Sequence, residues 1–204
     1  KGYETITELS SFKTFVESIK KGTLLSFDLE TTSVDPMQAE IVGLSFSIRP
    51  DSGVYIPLKY KGKGKNHFDR NELSMVMKTV KPALEDSTIP KTGQNVKFDA
   101  LIYKRHGVIV NGIVFDTMIA AHLSSPETRS YKLDKLISLT GNSYISYKAP
   151  RFPNPYDSPS EARESRGSRA CGCASRTVRQ INALNSHLCT VCRFEQGVTR
   201  QDLH

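Results

Sequence analysis

A chain of 204 residues has room for one domain with a buried core, with or without an appendage. Its composition, 38% hydrophobic and 24% charged, is that of a globular protein; no apolar run is long enough to cross a membrane, and KGYETITELSSF holds no secretion signal. The net charge of +7 suits a polyanionic partner without requiring one.

The first residue is Lys, not Met, which leads us to expect a domain cut from a longer protein. TELSSFKTFVESIKKG sets Leu9, Phe12, Phe15, Val16 and Ile19 at helical spacing. Thr7 is the expected N-cap, Lys20 and Lys21 close the last turn, and Gly22 stands where a helix stops. TLLSFDLE, EIVGLSFSI and GVYIPLK then read as three strands of an antiparallel meander, divided by SVDP and RPDSG. Beyond the lysine-rich loop KYKGKGKNHFD, the segment NELSMVMKTVKPALED is a predicted helix that Pro82 should bend or end. A strand over IPKTGQN, a helix over VKFDALIYKRHG, a strand over VIVNGIV and helices over FDTMIAAHLSS and YKLDKLISLTG complete the pattern. Three meandering strands followed by strand and helix in alternation predict an α/β or α+β fold, a mixed sheet flanked by helices.

The stretch LLSFDLETTSVD carries the chemistry. Along a strand, Leu25, Phe27 and Leu29 face a core, while Asp28 and Glu30 share the opposite face about 6–7 Å apart. Two carboxylates that close repel one another unless a cation, a proton or solvent intervenes, so this is either a wet edge or a metal site. A hydrolytic site for hard divalent cations needs a further carboxylate from another element. Asp99 of NVKFD, in the first turns of the helix that follows the neighbouring strand, is the candidate, although an early acidic residue also suits a helix dipole. The run KYKGKGK could cradle phosphates, and a flexible hairpin tip accounts for it as well.

Three segments, LLSFDLETTSVDPMQAEIVGLSFS, KTGQNVKFDALIYKRHGV and VFDTMIAAHLSSP, together resemble the 3′–5′ exonuclease (proofreading) domain of bacterial DNA polymerase I. The resemblance covers residues 1–148 and implies a ribonuclease H-like fold, with three antiparallel strands followed by parallel ones. It implies that Asp28, Glu30 and Asp99 are catalytic metal ligands, that Thr31 and Asn95 lie at the nucleic acid, and that Val34 packs against the terminal bases. Asp116 in FDTM is expected to act as a helix N-terminal acid and not as a ligand. The implied reaction is removal of nucleoside 5′-monophosphates from a single-stranded or frayed DNA 3′ end, with two Mg²⁺ or Mn²⁺ ions roughly 4 Å apart. Nothing in these motifs selects deoxyribose over ribose. The implied setting is the bacterial cytoplasm, with a polymerase domain in the full-length chain.

One part of the family pattern is missing. Its third motif, Y-x-x-x-D, belongs near positions 170 to 180, where this chain reads ACGCASRTVRQ without Asp, Glu or Tyr. A complete site holds two ions, so fewer are expected here and hydrolysis is expected to be slow or lost. The alternative is a catalytically inactive module of the same fold, binding single-stranded DNA or serving as a spacer. Residues 1–150 carry sixteen Lys and four Arg, whereas residues 151–204 carry eight Arg, no Lys and all four cysteines. A shifted reading frame or a foreign joint near residue 150 would account for the lost motif, the lost lysines and the clustered cysteines together. Residues 149–204 are therefore expected to form a poorly structured tail. Cys171, Cys173, Cys189 and Cys192 admit a zinc reading as well as that of reduced thiols.

Overall fold

The computed structural model describes residues 2–50, 52–58, 70–133 and 135–136. The elements run β1 (Gly2–Thr5), α1 (Leu9–Ser18), β2 (Leu25–Thr31), β3 (Ile41–Ser47), β4 (Ser52–Pro57), α2 (Arg70–Glu85), β5 (Lys91–Gly93), α3 (Val96–Arg105), β6 (Ile113–Asp116) and α4 (Thr117–Ser124). Among the described residues the strands form one six-stranded sheet in the order β1-β4-β3-β2-β5-β6. Strands β2, β3 and β4 are the antiparallel meander. β5 lies parallel to β2, and β6 parallel to β5.

Every residue of β3 is buried, which explains why IVGLSFS reads as a near-continuous apolar run: it is covered on both faces. Leu25, Phe27 and Leu29 of β2 join Leu44, Phe46 and Ile56 in the core, with Phe12 from α1 and Val76, Val80 and Leu84 from α2. Phe12 stacks on Phe46 with ring centroids 6.1 Å apart. Burial of these aliphatic and aromatic side chains holds the helices to the sheet.

The structure departs from the sequence expectations at several boundaries. Helix α1 is capped at Glu8, without a side-chain hydrogen bond, and ends before Lys20 and Lys21. Gly22 adopts φ 76°, but its N–H donates to the Thr88 carbonyl at 3.0 Å, so it joins the helix exit to the loop ahead of β5. Helix α2 continues through Pro82 to Glu85. A proline this close to the end forfeits one backbone bond, and the buried Ala83 and Leu84 hold the last turn against the core. The strand expected over VIVNGIV shrinks to β6, because the preceding N–H groups are taken by helix ends. Val108 N–H donates to Tyr103 O, Ile109 N–H to Glu85 Oε1 and Asn111 N–H to Leu84 O. Strand β1, parallel to β4 at the sheet edge, had no alternating pattern to announce it. Leu133, Lys135 and Leu136 are helical, as expected of YKLDKLISLTG. The rest of that segment, the lysine-rich loop and the tail from 149 lie outside the described residues.

Candidate active site

Strand β2 is central in the sheet, and its polar face holds the first two carboxylates. Asp28 lies opposite Ser45 of β3, which lies opposite Tyr55 of β4; two residues along, Glu30 pairs with Gly43. A Cβ on Gly43 would come within 2.4 Å of the Tyr55 ring and hydroxyl, so the glycine makes room for a buried tyrosine in the row beside Glu30. The pairing register shifts between Glu30 and Thr31, and the bulge turns the chain away directly after the second carboxylate.

The third carboxylate arrives on α3. After β5, Asn95 takes the left-handed conformation (φ 55°, ψ 46°), which Asn tolerates better than most residues, and so turns the chain into the helix. The N–H groups of this turn are held from the end of the neighbouring strand β6: Asn95 N–H donates to Asp116 Oδ1 at 3.1 Å and Val96 N–H to Asp116 Oδ2 at 2.8 Å. Asp116 also accepts from Met118 N–H at 2.8 Å, capping α4. It is a helix N-terminal acid, as expected, and for two helices at once.

Asp99 is 3% exposed, while Asp28 and Glu30 are half-buried. Its carboxylate accepts a hydrogen bond from the Leu29 N–H, in β2 between the two other acids. Burial, and then the charge of Asp28, push the Asp99 carboxyl well above the usual carboxylate range. Asp28 is raised by burial and by Glu30, and Glu30 by burial. The structure thus brings Asp28, Glu30 and Asp99 within electrostatic reach of one another. Carboxylate oxygens are the donors that hard divalent cations prefer, and a cation would offset both the burial and the mutual repulsion. The donor chemistry fits Mg²⁺ or Mn²⁺. Among the described residues, however, no three His, Cys, Asp or Glu side chains converge as ligands of one ion.

The nucleic-acid candidates lie at the end of β2, on the loop beyond it and at the N-cap of α3. Thr31 follows Glu30 and donates from its hydroxyl to the Ser33 carbonyl at 3.0 Å. Val34, on the loop beyond β2, is 94% exposed and has no part in the core. That loop is clamped by Arg105 in the last turn of α3, which donates to the carbonyls of Pro36 at 2.7 Å and Ala39 at 2.9 Å. Sequence reasoning passed over Arg105 and over Tyr103, whose ring packs edge-on against Phe27 with centroids 5.9 Å apart. The four-residue spacing from Asp99 to Tyr103 was the available signal. A groove of about 770 Å³ between α1 and α2 contains none of these residues.

The family model described as 3′–5′ exonuclease matches residues 3–149 of this chain. DNA polymerase I of Pseudomonas aeruginosa is 28% identical over 150 residues, covering 72% of this chain and 16% of the relative. DNA polymerase I of Borreliella burgdorferi is 36% identical over 121 residues, covering 59% and 13%. The chain therefore spans about a sixth or less of the length of these relatives. Among solved structures, Brucella melitensis NrnC superimposes with a TM-score of 0.62 at 18% identity, covering 98% of this chain and 84% of that one. The catalytic core of RRP6 from Trypanosoma brucei gives a TM-score of 0.63 at 16% identity, covering 96% and 48%. The ribonuclease H-like α/β fold expected from the sequence is the fold observed.

Proposed function

The chain belongs to the 3′–5′ exonuclease family, and on that premise we propose that its carboxylate group binds divalent cations and hydrolyses phosphodiester bonds at DNA 3′ ends. The observation that carries this reading is the buried Asp99, brought from α3 to the electrostatic neighbourhood of Asp28 and Glu30 on β2. Asp28, Glu30 and Asp99 are the proposed catalytic ligands for Mg²⁺ or Mn²⁺; NrnC has been solved with bound Mg²⁺. When bound, a pair of such ions supplies an activated water and charge for the leaving 3′ oxygen. The Leu29 N–H holds Asp99 in place for this task, and Asp116 fixes the start of the helix that carries it. Val34 supplies an exposed apolar contact for the terminal base, with Thr31 and Asn95 flanking the strand. The proposed substrate is a single-stranded or frayed DNA 3′ end, and the proposed setting is the bacterial cytoplasm; a polymerase domain beside it is proposed from the relatives' name, DNA polymerase I. No described helix is long and apolar enough to cross a membrane.

The window ACGCASRTVRQ offers no acidic residue and no Tyr, which favours slow hydrolysis, with a non-cutting DNA-binding module as the second reading. A 5′-labelled single-stranded oligonucleotide incubated with Mn²⁺ distinguishes them. We expect shortening from the 3′ end, reduced about 100-fold or more in Asp28→Asn and Asp99→Asn. Binding of the oligonucleotide without any shortening would establish the second reading. Equal digestion by wild type and both variants would overturn the assignment of the carboxylates. Calorimetric titration with Mn²⁺ counts the ions: two for a complete centre, one for a reduced one, none for a relic.

A further inference from the structure

Among the described residues, Tyr103 Oη is buried without a hydrogen-bond partner. Buried hydroxyls are almost always paired, and a tyrosine in a core normally ends at a polar group. The ring is accounted for: it is fully buried and packs edge-on against Phe27. Phenylalanine would serve that contact equally well, so packing does not explain the hydroxyl.

Its position suggests what does. Tyr103 lies four residues after Asp99 on α3, on the same helix face, and both side chains are buried. Helical side chains lean toward the N-terminus, so this long side chain extends back over the turn that carries Asp99. Burial first, and then the charges of Asp99 and Asp28, push the phenol well above the ordinary tyrosine range. The phenol is therefore a neutral donor within electrostatic reach of both acids. Asp99 already takes the Leu29 N–H and has further lone pairs to offer.

We propose that Tyr103 is a positioning residue of the carboxylate site, its hydroxyl donating to the Asp99 carboxylate and fixing the oxygen that Asp99 presents to a divalent cation. This rests on the reading of Asp28, Glu30 and Asp99 as a cation site. Partners behind a ligand commonly set its orientation in this way. The unpaired hydroxyl is then a donor poised for the ion-bound arrangement of Asp99.

The test is Tyr103→Phe in the full chain, which removes one oxygen and keeps the ring. Thermal melting in EDTA should be unchanged or slightly raised, whereas Mn²⁺ affinity by calorimetry should fall about 10-fold. The Raman doublet of tyrosine reports whether a phenol donates a strong hydrogen bond. In the wild-type minus Tyr103→Phe difference spectrum it should move toward a strong donor when Mn²⁺ is added. If the variant does not fold, the Mn²⁺-induced doublet change is read in the wild type against Asp99→Asn, where it should be absent. Undiminished Mn²⁺ affinity in Tyr103→Phe, or a wild-type doublet indifferent to Mn²⁺, would overturn the positioning role alone. A wild-type chain that binds no Mn²⁺ would overturn the cation site, and the inference with it.

Discussion

At the scale of single residues, Asp99 is the costly position. A carboxyl that is 3% exposed and faces Asp28 is held above its ordinary pKa, so the native state binds more protons than the unfolded chain between the ordinary carboxylate pKa and the raised one. Stability of the metal-free protein must then fall as pH rises through that window. Asp99→Asn removes the penalty while keeping an oxygen for the Leu29 N–H. In EDTA at pH 7 the variant should melt above the wild type, the gap closing as pH is lowered toward 4. Saturating Mn²⁺ should reverse the order, because only the wild type gains the ion. A variant that melts lower in EDTA at pH 7 would show that Asp99 stabilises the apo fold, against the burial argument. Asp28 and Glu30 are raised too, so they contribute in the same direction.

At the scale of elements, Asp116 couples what the chain keeps apart. Its carboxylate accepts from the first N–H groups of α3 and from those of α4. Replacing it with Ala leaves these donors without their partner and should destabilise the protein by about 1–2 kcal/mol, measured by urea unfolding. Because α3 carries Asp99, Mn²⁺ affinity should fall with it; unchanged affinity would show that the helix keeps its place without this link. The acid was legible in FDTM as a helix start. Its second role was not, since the partner helix begins some twenty residues earlier in the chain and meets it only when β6 lies beside β5.

For the whole molecule, the site follows from the order of the strands. β2, β5 and β6 run parallel, so their C-terminal ends open on one side of the sheet, where Asp28 and Glu30, the start of α3, and Asp116 come together. Binding sites gather at such strand ends because the chain leaves the sheet there and side chains are free to converge. The core beneath has a separate duty. Phe12 is fully buried on Phe46, and Phe12→Ala should cost about 3–5 kcal/mol in urea unfolding while leaving the Mn²⁺ affinity of the folded fraction unchanged. A loss of affinity would show that α1 supports the site through the sheet.

The sequence by itself determined the meander, the helices and the presence of paired acids on one strand, because alternation and helical periodicity are local and side-chain direction follows from them. Asp28, Glu30 and Asp99 could be proposed as a group from their motifs. Only the tertiary structure decided that Asp99 is buried against the backbone of Leu29, that Asp116 serves two helices, that Val34 stands free and that the Tyr103 hydroxyl is buried without a partner. These depend on strand order and on how deeply each group is buried. Such quantities arise from contacts between residues distant in the chain, and no local pattern encodes them.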